Sequence, residues 1–235
     1  MKLLSFFSTL CLTALVTFQL AAAPIMIDDF SEPAATVFSE TAPVGTFPIV
    51  IADTGLATTN VIGGSRDVTI DFVAAPGPGD NINGSYGSAF GNQFSMFTGG
   101  VNASTLDLFS DANVAGLSAD LSSQAGIALD FDIFDAAAIG TVFTLNIDDG
   151  SGISSSMQTA LLAGPQTFDF LFSDFAGLDT STIDSIHLTA SVPANGDIRL
   201  LNIQTIENVP EPASVAIWAL LGICISVGTW KLRRK

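Results

Sequence analysis

Carboxylates are the side chains of this sequence best spaced to do chemistry. Asp130 and Asp132 fall two apart in IALDFDIF at 127–134, so on a strand they share one face, and Asp148-Asp149 follow in a turn. A pair of carboxylates is what glycoside hydrolysis needs, one as acid for the leaving oxygen and one as nucleophile or base. The rest of the chain argues against that use. The only glutamates are Glu32, Glu40, Glu207 and Glu211, all near the ends of the acidic region. An outward strand aspartate also has no apolar pocket to raise its pKa. Solvated aspartates on a wet strand face are the expectation.

The same acidic turns offer oxygen ligands to a hard cation such as Ca²⁺. NIDDGSG at 146–152 and DLFSDAN at 107–113 carry them at short spacing, but neither fits the D-x-[DN]-x-[DN]-G loop. A structural Ca²⁺ is thus conceivable without a definite ligand set, and no cofactor is expected. His187, the only histidine, falls by alternation on the wet face between inward Ile186 and Leu188; one histidine cannot form a histidine metal cluster, and no G-x-S-x-G elbow accompanies it. Arg66 and Arg199 stand out because basic residues are so few. Each can clamp a carboxylate, either one of the protein's own aspartates, the favoured reading, or that of an acidic sugar. Gly63-Gly64 before Arg66 form a turn, not a phosphate cradle, since no helix follows. Tyr86 is the only tyrosine and lies beside the Gly-rich stretch 76–84, where a ring that stacks on a sugar would be expected. Tyr86 and Arg66 are therefore the candidate ligand contacts.

The elements that position these residues read as strands. Helical periodicity is nearly absent, while short alternating runs recur between Gly, Pro, Asn, Asp and Ser clusters. Clean alternation marks 67–73, 127–134, 142–148, 168–172 and 186–192, each with one apolar and one polar face. Weaker strands are expected at 47–52, 59–62, 89–97, 105–109, 155–161 and 198–206, with a bulge where LLNI at 200–203 breaks alternation. Turns are marked at 76–84, 99–100, 148–152 and 194–197, and the longest of them, 76–84, is the best candidate for a functional or disordered loop. Fifteen of the 18 phenylalanines lie beyond residue 23 and can fill a core. The expected fold is all-β, an antiparallel two-sheet sandwich with a jelly-roll topology favoured. A parallel β-solenoid is the alternative, but no fixed repeat period supports it.

The charge is lopsided. Only Arg66 and Arg199 stand against all 23 acidic residues, which fall between Asp28 and Glu211, leaving that region at −21. Such density repels nucleic acid and anionic lipid and keeps the region soluble. The two cysteines, Cys11 and Cys224, both lie in the chain's ends, so the acidic region has neither disulfides nor thiol chemistry.

The ends read as targeting segments. Residues 1–23 carry Lys2, an apolar core at 3–20 and Ala21-Ala22-Ala23, the pattern of a secretory signal peptide cut by signal peptidase after Ala22 or Ala23. Residues 209–235 hold Pro210-Glu211-Pro212, an uncharged run at 213–230 and a basic tail of Lys231, Arg233, Arg234 and Lys235. As a helix the 18-residue run would span roughly 27 Å, enough for a thin bilayer. Trp230 sits where an interfacial ring belongs, and the tail keeps the C-terminus cytoplasmic. This order resembles the PEP-CTERM sorting signal of Gram-negative bacteria, over about the last tenth of the chain. The resemblance implies processing at or near Pro210-Glu211-Pro212 by an exosortase-type membrane protease, and release or attachment at the cell surface, often among exopolysaccharide. A plain C-terminal membrane anchor is the other reading of the same residues.

The order Asp28-Asp29-Phe30, then 62–70, then 183–189 running into 197–203, loosely resembles galactose-binding-like sandwiches. The expected organisation is a signal peptide at 1–23, an acidic exported sandwich at 24–208 and a sorting segment at 209–235. The expected protein is not an enzyme. It begins in the inner membrane as a precursor and ends at the cell surface or in the extracellular matrix. A carbohydrate-binding module is the rival function, and a polysaccharide hydrolase comes third.

Overall fold

Alternation with a period of two puts every second side chain on one side of a strand, and two such sheets bury their apolar sides against each other. The computed structural model describes residues 22–42, 47–110 and 116–208, except the side chains of 132–134. Pro210-Glu211-Pro212, the run at 213–230 and residues 1–21, where a sorting segment and a signal peptide are expected, lie outside these residues. Among the described residues no helix is long and apolar enough to cross a membrane.

Among the described residues thirteen strands follow in order: β1 Met26–Asp28, β2 Thr36–Thr41, β3 Ile49–Thr54, β4 Ser65–Phe72, β5 Asn81–Gly87, β6 Gln93–Gly99, β7 Ser104–Ser110, β8 Gln124–Phe134, β9 Val142–Asp148, β10 Ile153–Thr159, β11 Gln166–Leu171, β12 Ser185–Val192 and β13 Ile198–Glu207. They belong to one compact unit, Pro24–Ile206. One sheet runs β11-β8-β13-β6-β5-β2, with β1 paired to β13; the other runs β10-β9-β12-β7-β4-β3. Each register described is antiparallel. The expected antiparallel two-sheet sandwich is what forms.

The core lies between the sheets. Val68, Ile70, Leu106, Phe143, Leu145, Ile147, Leu188 and Val192 come from one side, and Ile82, Phe94, Met96, Ile127, Leu129, Phe170 and Leu200 from the other; all are buried. Phe131, Phe143 and Phe168 close it with ring centroids 4.8–5.7 Å apart. Each fully buried side chain of this size contributes about 1.5–3 kcal/mol through removal from water.

Two local expectations are corrected and a third holds. Residues 59–62 form no strand: a turn leads to Val61, which makes an isolated bridge to Asp28, and a 3₁₀ turn follows at Ile62–Gly64. Gly63 and Gly64 take φ of 74° and 70°, a left-handed region closed to a strand residue. The stretch 76–84 is not one loop, because β5 begins at Asn81. Polar NINGSYG conceals that strand, and its Gly84 lies so close to Phe38 and the Ser95 carbonyl that a Cβ would sit 2.2 Å from each. The remaining loop is organised by buried Asp80, which accepts from the backbone of Gly77 at 2.6 Å and Val101 at 2.7 Å and from the Asn102 amide at 2.8 Å. These bonds hold its carboxyl below the usual range, the Gly77 bond most of all. β13 does break alternation: Leu201 and Asn202 are both half-buried between buried Leu200 and Ile203. Just beyond, between Ile203 and Gln204, the ladder to β1 shifts register.

Candidate functional site

Arg66, the second residue of β4, turns its side chain inward and pairs in register with Asp53 on β3. It is 1% exposed. Nη1 donates to both Oδ1 and Oδ2 of Asp28 at 2.7 Å, and Nη2 reaches Asp53 Oδ2 at 3.2 Å and the Glu32 carbonyl. The guanidinium carbon stands 4.5 Å from the Tyr86 ring centroid and 5.2 Å from that of Phe30. Tyr86 donates its hydroxyl to Asp53 Oδ2 at 2.7 Å. Behind it, Phe94 packs against Tyr86, Phe30 and Phe38 at 5.9 Å each. Burial lifts the Asp28 carboxyl to about 6, with Arg66 opposing the rise. Burial, then the bond to Asp53, raises the Tyr86 phenol.

Arg66 thus holds the protein's own aspartates, the favoured of its two sequence readings, and faces no acidic sugar. Tyr86 is fully buried. The expectation of a ring offered to a sugar fails there because β5 pairs on both sides, with β2 and β6, and alternation turns residue 86 into the core.

The other carboxylates are similarly engaged. Asp130 accepts from the Thr167 hydroxyl at 2.8 Å and the Gln204 amide at 3.2 Å. Its supposed partner Asp132 has a side chain outside the described residues. Asp148 accepts from Gly150 N at 2.8 Å. Asp149 accepts from Ser151 Oγ at 2.6 Å and from the backbone of Asp179 at 2.7 Å, bonds that lower its pKa to about 2. Among the described residues no three His, Cys, Asp or Glu side chains gather as they would around a metal ion. A wide-open cleft of ≈ 580 Å³ between loops is lined in part by Ser31, Glu32, Asn60 and Ser88. Its one carboxylate, Glu32, already accepts from Ala57 N at 2.6 Å.

The arrangement best suited to meet a ligand lies on the outer face of the six-stranded sheet. The registers align two rows across it. One row reads Ser155, Asn146, His187, Phe109, Asp67 and Ala52; the next reads Met157, Thr144, Thr189, Asp107, Thr69 and Val50. At the centre the Phe109 ring meets His187 edge-on, centroids 5.3 Å apart. Asp107 Oδ1 accepts from Thr189 Oγ1 at 2.8 Å and lies 3.3 Å from His187 Nε2. These contacts, the His187 bond first, hold the Asp107 carboxyl below its usual range. Ser155 Oγ donates to Asn146 Oδ1 at 2.6 Å. His187 and Asp107 keep about a third of their side-chain surface, 32% and 34%. The result is an apolar ring edged by fixed hydroxyl, amide, imidazole and carboxylate groups. His187 sits on the wet face as expected. Phe109 is not among the sequence candidates, although STLDLFS itself gives the signal: Leu106 and Leu108 turn inward, which leaves an aromatic on the polar side.

No family model and no curated protein matches the chain. Among solved structures it is similar to a family 11 carbohydrate-binding module from Clostridium thermocellum in complex with a β-1,3-1,4-mixed-linked tetrasaccharide, at 17% identity over 80% of this chain and 97% of that one, with a TM-score of 0.41. TmCBM61 in complex with β-1,4-galactotriose gives 11% identity over 71% and 90%, with a TM-score of 0.31. The arabinose-bound MgGH51 α-L-arabinofuranosidase gives 9% identity over 82% and 31%, with a TM-score of 0.35. At these levels the similarity assigns neither a site nor a ligand to this chain.

Proposed function

We propose that this protein is a non-enzymatic carbohydrate-binding module that takes a neutral glycan on the outer face of its six-stranded sheet. The observation that carries this is the central Phe109 ring set among His187, Asp107, Thr189 and Asn146. A sugar presents an apolar face and a rim of hydroxyls; an aromatic ring takes the first and fixed polar groups take the second. Strands about 4.8 Å apart repeat these groups at close to the spacing of one sugar ring. Asp67, Asp71 and Asp107 share the face, so an anionic chain would be repelled. The sandwich is read as a jelly roll of the galactose-binding-like kind, supported by the way successive strands pass between the two sheets.

The test is a glycan array followed by affinity electrophoresis in the polysaccharides that score. Wild-type protein should bind neutral glycans, and Phe109→Ala should weaken that binding at least about tenfold, equal to about 1.4 kcal/mol. A blank array, or a variant that binds as well as wild type, would sink the assignment.

The export reading is compatible with this one and rests on different residues. The module is exported through its signal segment, held as a precursor by 213–230 and sorted to the surface through Pro210-Glu211-Pro212, where exopolysaccharide would supply a ligand. The order of tripeptide, apolar run and basic tail supports it. Replacing the tripeptide with alanines should leave full-length protein in the inner membrane; unchanged processing would reduce the segment to a plain anchor.

A further inference from the structure

Among the described residues strand β10 is an edge of the six-stranded sheet, and its own sequence and register carry no charge, proline or bulge of the kind that keeps edges from pairing. The other edge strands carry charge: Glu40 on β2, Asp53 on β3 and Asp169 on β11. β10 reads ISSSMQT, within an uncharged run at 150–168, inside a region that is otherwise strongly acidic. Its exposed side chains alternate, with Ile153 and Met157 each 70% exposed and Ser155 between them.

The direction of its backbone follows from the ladder to β9. Ala160 N donates to the Thr141 carbonyl, and its own carbonyl accepts from Gly140 N, so residue 160 turns both groups toward β9. In an antiparallel sheet consecutive residues alternate in this respect, and the register from 153 to 159 has no shift. Ile153, Ser155, Met157 and Thr159 therefore turn their N–H and C=O groups toward the open edge.

We propose that β10 pairs with β10 of a second copy of this chain, antiparallel across a two-fold axis at Ser155. That register opposes Ser155 to Ser155 and, twice by symmetry, Ile153 of one copy to Met157 of the other. All of these are residues whose backbone groups face the edge. Cross-strand apolar pairs on one sheet face favour association, and one patch meeting itself is what a two-fold interface requires. The occupant is a second copy because the sequence is complementary to itself about residue 155. The neutral strand also places the joint where two strongly negative bodies repel least. The two sheets merge into one of twelve strands, and their outer faces become continuous. The pairing stands whether or not that face binds glycan.

The test uses the full chain in non-ionic detergent, with Cys11 and Cys224 replaced by serine. Opposed residues of a hydrogen-bonded pair have Cα atoms about 5.5 Å apart, within disulfide reach. Ser155→Cys should form a disulfide dimer under mild oxidation, while Thr159→Cys should stay at background. Without cross-linking, light scattering should give the mass of two chains, with the dimer fraction rising with salt as repulsion is screened. Ser155→Pro should bring the mass to one chain, because it removes an N–H that faces away from β9. A monomeric wild type, a dimer untouched by Ser155→Pro, or cross-linking through residue 159 in place of 155 would overturn the proposal.

Discussion

Arg66 and Asp67 are neighbours on β4, yet their side chains lie in two different chemistries. Arg66 turns inward to a buried cluster with Asp28, Asp53 and Tyr86; Asp67 turns outward to the row that holds Phe109 and His187. Both places combine aromatic rings with charged and hydrogen-bonding groups. In the interior, desolvation makes every unpaired polar group costly, so the groups are committed to each other. On the sheet face, hydrogen bonding orients groups that remain in reach of solvent. The same residue types build stability in one place and the proposed binding surface in the other. Exposure decides between them.

The largest expected effect separates the two outright. Arg66→Leu leaves Asp28 buried without its cation and should lower stability by about 3–5 kcal/mol in urea unfolding. Glycan affinity per folded molecule should hold. A loss of affinity without a loss of stability would place the ligand at Arg66 and invert the comparison. Tyr86→Phe removes the hydroxyl that Asp53 accepts and should cost about 1–3 kcal/mol, again with binding unchanged. Phe109→Ala should do the reverse, destroying binding while stability moves by no more than about 1 kcal/mol.

A pH dependence sharpens the buried side of the comparison. Asp28 has a folded pKa near 6 against an ordinary value of 3.8, so between those values the folded state holds more protons than the unfolded one. Stability from this group is therefore greatest below pH 3.8, falls as pH rises toward 6 and levels off above. Subtracting the melting curve of Asp28→Asn from that of wild type across the window should reveal that downward slope. An upward slope would mean that Arg66 outweighs burial.

Much of the fold was legible in the chain. DVTIDFV, IALDFDIF and VFTLNID alternate so plainly that their inward residues follow from period two alone, and Ile127, Leu129, Phe143, Leu145 and Ile147 are buried as that pattern requires. β5 was not legible, because NINGSYG has a glycine where a side chain would collide with Phe38. Tyr86 was misplaced for the same reason: a Gly-rich stretch read as a turn puts its neighbour at the surface, while a strand paired on both sides puts it in the core.

The sequence by itself determined the layers, the acidic surface and the absence of disulfide chemistry from the acidic region, since alternation, charge and cysteine count are local or additive properties. It also determined that Arg66 and Arg199 would be exceptional. Only the tertiary structure decided that Arg66 meets Asp28 and Asp53, that Phe109 stands beside His187, and that Asn146 continues their row. Those partners lie 13 to 78 positions apart in the chain and come together through strand register, which is set by how two whole sheets bury their apolar sides.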